Sequence, residues 1–224
     1  MTMTPSILPQ FDLAQPLSWE GDTAEQLSMR QLRHQTKNAL QGLLNQVAMC
    51  SGLQQHAAGR ALARDLERRI LLSAGLSDAL FGFTATPRSI DARLDALGRA
   101  VIGSQADVDQ EIAFEATVLG RCPAAYDDII VRVAHELIVN AVKHGMTLRM
   151  VGRIEVLVDA RDGRVGMTVS DDGWGLCDDG RIPDARGDGL RIAELLAAQL
   201  GGTVTLHRDR CRTHAMLRLP AGVR

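Results

Sequence analysis

Several things are scarce or missing in this 224-residue chain. Net charge is one: 25 Lys and Arg stand against 27 Asp and Glu, a formal charge of −2. That argues against a protein that coats nucleic acid, whose affinity rests on neutralising many phosphates. No apolar run approaches the ~20 residues needed to span a bilayer. The N-terminus carries neither the basic nor the apolar region of a signal peptide. A cytoplasmic protein with no membrane and no nucleic-acid partner is therefore expected. The four cysteines, Cys50, Cys122, Cys177 and Cys211, are widely spaced and form no CxxC pair. Neither a zinc site nor a disulfide framework is suggested. Lysine is nearly absent: Lys37 and Lys143 occur beside 23 arginines. An ammonium is a compact point charge where a guanidinium is a planar fork, so these two positions stand out, with chance as the plain alternative.

What is present suits a folded chain: 46% hydrophobic and 23% charged residues. Residues 1–21, with Pro5, Pro9 and Pro16, read as an irregular lead-in. From Asp22 the pattern changes. Leu32, Thr36, Leu40, Leu43, Val47 and Cys50 recur at steps of three and four, the period of one helix face. Asp22 or Thr23 can cap the start. Gly52 to Gly59 reads as a connection. A second periodic stretch runs through Leu62, Leu66, Ile70, Ser73, Leu76 and Leu80. Two such helices joined by a short loop make an antiparallel hairpin over residues 22–84. One hairpin cannot bury its own apolar stripe. Pairing two copies into a four-helix bundle solves this, so a homodimer is expected.

Pro87 breaks the helical pattern, and residues 90–222 read as a second domain. Asp91–Gly103 is a helix, Glu111–Leu119 a strand, and Pro123–His144 a long helix with proline in its first turn. Arg153–Asp159 and Val165–Ser170 are strands about an Arg161-Asp162-Gly163 turn. A Gly- and Asp-rich loop, Gly173–Gly189, leads to a helix, Leu190–Leu200, ended by two glycines. Thr203–His207 and His214–Leu219 form a last hairpin. The fold class is α+β: the helical hairpin, then an α/β sandwich with one helical face.

The long helix contains His135-Glu136-Leu137-Ile138-Val139-Asn140-Ala141-Val142-Lys143-His144. At ~100° per residue, Glu136, Asn140, Lys143 and His144 share one face. By itself this is as easily a solvated stripe as a site. Two further elements tip the balance. A strand runs into Asp171-Asp172-Gly173-Trp174-Gly175, and Gly187-Asp188-Gly189-Leu190 opens a helix. Glycines at a helix N-terminus let backbone amides approach a phosphate, where the helix dipole favours an anion. A lone GxG is weak; the strand-to-turn DxGxG followed by a Gly-rich helix opening, both preceded by an ExxxN helix, is much stronger.

HELIVNAVKHG, DDGWG and GDGLRIAELLAAQLGG resemble, in order, the N, G1 and G2 boxes of the GHKL-type ATP-binding domain of sensor histidine kinases. The resemblance implies ATP and Mg²⁺, with Asn140 as the metal ligand, an amide oxygen suiting a hard cation. It implies that Glu136 orients water or substrate near the γ-phosphate. Lys143 and His144 would lie near the phosphates. Asp171 would accept from the adenine amino group, with Gly173 and Gly175 letting the base sit close, and Gly187 and Gly189 would border the phosphates. Residues 177–186 would form a short lid, and Trp174 would line or underlie the pocket.

The first helix holds Arg33-His34-Gln35-Thr36-Lys37-Asn38-Ala39-Leu40-Gln41, which is similar to the H box of the second histidine-kinase dimerisation type. With Leu32, Leu40, Leu43 and Val47 buried, His34 points away with Arg30, Lys37, Asn38 and Gln41, as a phosphoacceptor must. Two positions depart from the pattern. Gln35 follows the histidine where an acidic residue or Arg is usual, and Gln cannot act as a general base. Arg210-Cys211-Arg212-Thr213 stands where a Gly-Thr pair usually precedes the last strand. Asn38, one turn after His34, could hold a water in line with a phosphoaspartate, or merely contact the helix surface or a receiver. His56, His207 and His214 show no metal-ligand spacing, and Trp19 could staple the lead-in.

The leading expectation is an ATP-dependent protein-histidine kinase that phosphorylates His34. It would then pass the phosphoryl group to an aspartate of a response-regulator receiver domain. No sensor domain is evident, so a separate sensor protein is a possible partner. The alternative is a histidine phosphotransferase that shuttles phosphate between receivers over a vestigial ATP domain. An anti-sigma-type serine kinase shares the ATP domain, but the N-terminal hairpin with its H box argues against it.

Overall fold

The structure is a computed structural model, and it describes residues 24–81, 89–107, 109–147, 149–173, 188–209 and 212–220. The lead-in, Trp19, Trp174, Gly175, Cys177, Gly187, the expected lid and Arg210-Cys211 lie outside the described residues, as do the side chains of Arg30, Arg33 and His34.

The N-terminal part is helical: α1 (Ala24–Met49), a short α2 (Ser51–Gln55) and α3 (Ala57–Phe81). The expected Gly52–Gly59 loop is mostly helical. α2 fills its first half, and α3 starts two residues before Gly59, whose missing Cβ lets the α3 backbone meet the Leu53 carbonyl. α1 packs on α3. The expected burial of Leu32 and Leu43 is not met within one chain, where they are 55% and 47% exposed. Leu62 and Leu71 of α3 are exposed as well, because a two-helix layer has only one covered side.

The rest is a layer of helices on one mixed sheet. α4 (Ile90–Gln105) leads to β1 (Glu111–Gly120), then α5 (Ala124–Asn140), β2 (Val151–Ala160), β3 (Val165–Asp171), α6 (Asp188–Ala198), β4 (Thr203–Arg208) and β5 (Thr213–Leu219). The sheet order is β1-β2-β3-β5-β4. β1 runs parallel to β2, and the other neighbours are antiparallel. Asp162 and Gly163 both take positive φ, the requirement of the tight turn that joins β2 to β3. Gly201, also at positive φ, ends the helical stretch after α6.

Alternation along the strands sets the core. Ile154, Val156 and Val158 of β2, Val165, Met167 and Val169 of β3, and Ala215 and Leu217 of β5 are all buried. They meet Leu94, Leu97, Ile130, Val133, Ala134, Leu137 and Ile138 from α4 and α5, and Ala193 and Leu196 from α6. The opposite sheet face is polar. There Arg153 pairs with Glu115 and Glu155, and Arg212 pairs with Glu155, drawing the carboxyl of Glu155 below its ordinary range despite partial burial.

The end of α3 joins this core. Ala79 is buried with Leu94 and Tyr126, and Leu76 and Leu80 pack beside them. Arg93 of α4, with 13% of its side chain exposed, holds the junction. Its Nε donates to the Ala79 carbonyl at 3.1 Å and its guanidinium to the Leu80 carbonyl at 3.4 Å. The same guanidinium pairs with Asp128 of α5 at 2.8 Å. It thus satisfies last-turn carbonyls of α3 and places a cation at the negative end of that helix. Replacing Arg93 with Ala leaves those carbonyls and Asp128 without this partner. Urea unfolding should show a loss of about 2 kcal/mol; a change below about 0.5 kcal/mol would mean the junction is held by apolar packing alone.

Candidate functional site

α5 buries one face against the sheet and turns Glu136 and Asn140, one helical turn apart, toward the start of α6. A Cβ on Gly189, the second residue of α6, would stand 2.9 Å from Glu136 Oε2 and 3.3 Å from Asn140 Oδ1. The carboxylate, the amide and the N-terminus of α6 therefore share one small space. Only glycine leaves it open. Glu136 Oε1 also contacts His135 Nδ1 at 2.9 Å.

Beyond Asn140 the helix widens. Ala141–Gly145 form one π-helical turn, closed by the Met146 amide donating to the Ala141 carbonyl at 3.0 Å. The extra residue in that turn shifts the register of the residues that follow it. Glu136 and Asn140 are half-buried, while Lys143 and His144 are exposed. The π turn also delivers Gly145 to the end of β3. A Cβ on Gly145 would lie 2.5 Å from Asp171 Oδ1, and a Cβ on Gly173 would run into the Gly145 carbonyl.

Asp171 is the centre of this second group. It ends β3, opposite Thr213 of β5, with only 6% of its surface exposed. The Gly173 amide donates to its Oδ1 at 3.0 Å. Burial pushes the carboxyl up to about 6, with the nearby Asp172 charge adding to the rise. The Gly173 amide, His214 and Arg149 oppose it. Charged carboxylates are seldom buried without a reason, so Asp171, packed against Gly145 and Gly173, is a functional candidate.

Residues that sequence reasoning passed over hold this corner. Arg149 donates to the Asp172 carbonyl at 2.5 Å, and the Arg153 amide donates to Asp172 Oδ1 at 2.8 Å. Gln110 Nε2 donates to the Met146 and Arg149 carbonyls at 2.8 and 2.9 Å, tying down the chain that leaves the π turn. Gly145, the last residue of the HELIVNAVKHG string, was the one legible signal among them. The others carry no motif.

The structure thus brings Glu136, Asn140 and Gly189 together, and Asp171 and Gly173 with Gly145, the two groups linked by the π turn. Asn38 lies on another element, α1, and is exposed. His214 sits on the polar sheet face, where its Nδ1 meets Ser170 Oγ at 2.8 Å and its Nε2 meets Asp209 at 3.2 Å. Among the described residues there is no cluster of His, Cys, Asp and Glu suited to a metal, and no helix is long and apolar enough to cross a membrane.

Helices thus cover one face of a mixed sheet, with an acidic strand end beneath glycines and an acid–amide pair facing a helix N-terminus. Residues 125–223 match the family model of the histidine kinase-, DNA gyrase B-, and HSP90-like ATPases. That match runs from α5 to just beyond β5. Two solved structures share the wider fold. The histidine kinase domain of the Erythrobacter litoralis EL346 blue-light activated histidine kinase aligns with a TM-score of 0.52 at 19% identity, over 81% of this chain and 96% of that one. The longer EL346 kinase aligns with a TM-score of 0.54 at 22% identity, over 94% of this chain but 63% of that one. The chain therefore spans less than two-thirds of that kinase, and these likenesses are of fold. No curated protein sequence matches the chain.

The sign of the Asp171 shift gives a stability test. Its folded value lies above the ordinary 3.8, so the fold favours the neutral form. Relative to a neutral side chain, the group costs nothing below about pH 4 and up to about 3 kcal/mol above pH 6. Asp171→Asn keeps an acceptor for the Gly173 amide and removes the charge. Thermal melts should show the variant more stable than wild type at pH 7.5, with the gap closing by pH 4. Equal melting at both values would mean the carboxylate is not strained by burial.

Proposed function

We propose that the chain is an ATP-dependent protein-histidine kinase that acts as a homodimer. ATP binds between the π turn, the end of β3 and the start of α6. The adenine amino group donates to Asp171, with Gly145 and Gly173 clearing room for the ring. Gly189 and the amides at the start of α6 face the phosphates, where the helix dipole favours negative charge. Asn140 supplies an oxygen suited to Mg²⁺, which when bound offsets charge on the phosphates. The open space at Gly189 beside Asn140 and Glu136 is compatible with that role. Lys143, exposed at the rim, adds positive charge near the triphosphate, and His144 stands beside it. Gly175 and Gly187 complete the two glycine boxes.

In the reaction, the imidazole of His34 attacks the γ-phosphorus. A P–N bond forms, the bond to the β–γ bridging oxygen breaks, and ADP leaves. The proton lost from the ring goes to Glu136 or water, since Gln35 has no basic group. The phosphoryl group then passes to an aspartate of a response-regulator receiver domain. The exposed Leu32 and Leu43, about three turns apart on one face of α1, support pairing of two hairpins into a bundle. The single observation that carries the reading is Asp171: a buried carboxylate beneath two glycines, at the end of a strand, in a family whose members are ATPases.

Radiolabelled ATP tests it. Wild-type chain should become labelled, and His34→Ala should lose the label while still binding ATP and dimerising. Asn140→Ala should weaken binding of Mg²⁺-ATP, and Asp171→Asn should weaken ATP with or without metal. No binding at millimolar ATP would sink the kinase reading and favour the phosphotransferase, which needs His34 but no pocket.

Asn38 is read as supporting dephosphorylation of the receiver, by holding a water in line with the phosphoaspartate. Asn38→Ala should then slow loss of phosphate from the receiver while His34 labelling stays near wild type. A parallel fall in both rates would show that Asn38 only positions His34 or the docked partner.

A further inference from the structure

Neighbouring residues on an α-helix point about 100° apart, and i,i+1 pairs do not ordinarily face each other. His135 and Glu136 nonetheless meet at 2.9 Å, Nδ1 to Oε1, with 22% and 19% of their side chains exposed. A carboxylate can only accept, so Nδ1 carries the proton and donates. The contact does little to bind one element to another, because both residues belong to α5. Its consequence is local. A free Glu side chain samples many rotamers, and this bond holds Oε1 back on the helix. Oε2 is left toward the start of α6, where it is the nearest atom to the missing Cβ of Gly189, with Asn140 beside it.

We propose that His135 is a positioning residue for phosphoryl transfer: its Nδ1–H pins Glu136 so that Oε2 faces the phosphate end of the nucleotide site. The inference rests on the kinase reading above. His135 itself touches neither ATP nor His34. It acts through Glu136, and its loss lowers the transfer rate without loosening the nucleotide.

The full chain tests this by single-turnover labelling of His34 and by calorimetric titration with Mg²⁺-ATP. His135→Ala should slow labelling roughly tenfold to a hundredfold, the scale expected for a misplaced catalytic group, with ATP affinity within about threefold of wild type. His135→Asn, whose amide can donate from a similar place, should recover most of the rate, whereas His135→Phe should not. Glu136→Gln should be at least as slow as His135→Ala, and the double variant His135→Ala/Glu136→Gln no slower than Glu136→Gln alone. A merely structural role would slow the Asn variant as much as the Ala variant, or make the double variant multiplicatively worse; either result overturns the proposal. Wild-type labelling together with an unimpaired His135→Ala variant overturns it too, while leaving the kinase reading intact. Wild type that binds no ATP and takes no label removes the kinase reading itself, and this proposal with it.

Discussion

A carboxylate held out of water at the end of β3 is the constraint around which the rest of the site is arranged. Asp171 is fixed by strand pairing on both sides, to Ile154 of β2 and to Thr213 of β5. Its backbone cannot move into solvent without breaking the pairing of the central strand. Burial raises its ionisation toward neutral pH, and the adjacent Asp172 adds to this. The fold tolerates that cost because its apolar layer is continuous from α4 through α5 to α6. A strained charge set into an otherwise well-packed core is a common signature of a site kept for binding rather than for stability.

Close approach of backbone is the second requirement, and it follows from the first. Gly145 and Gly173 stand where any side chain would strike Asp171 or the neighbouring carbonyl. Gly189 does the same for Glu136 and Asn140. The π turn makes both arrangements possible from one helix. Its extra residue ends the regular run at Asn140 and carries the chain across to Asp171 within five residues. Gln110, Arg149 and the Arg153 amide then anchor the carbonyls and the Asp172 side chain around it. The Glu136–Asn140 group and the Asp171 group are thus joined by one continuous helical run.

Much of this was readable in the sequence. The 3.6 period located α1, α3, α5 and α6, and alternation located the strands, because each element has one buried face. The order of the acid–amide helix, the Asp/Gly turn and the Gly-rich helix opening identified Glu136, Asn140, Asp171, Gly173 and Gly189. The π turn was not readable, since one added residue leaves composition and period almost unchanged over a single turn. Lys143 and His144 lie in that turn rather than on the regular helix that the sequence suggested. The short α2 was missed because Ser51–Gln55 contains a glycine and too few residues for a period. Arg93 and Arg149 were invisible for another reason: their partners are backbone carbonyls and acids far away in the chain, among 23 arginines of which most are solvated. Leu32 and Leu43 show the converse: the period put them on one face of α1, and that face is left exposed.

Carbon-13 NMR titration of the Asp171 carboxyl, in free protein and with saturating ATP, tests the central claim most directly. The account predicts a value near 6 in the free protein, from burial, and a clear fall on adding ATP as the adenine amino group bonds the ionised form. A value near the ordinary 3.8 that ATP leaves unchanged would contradict it, because Asp171 would then be neither strained by the fold nor engaged by the nucleotide.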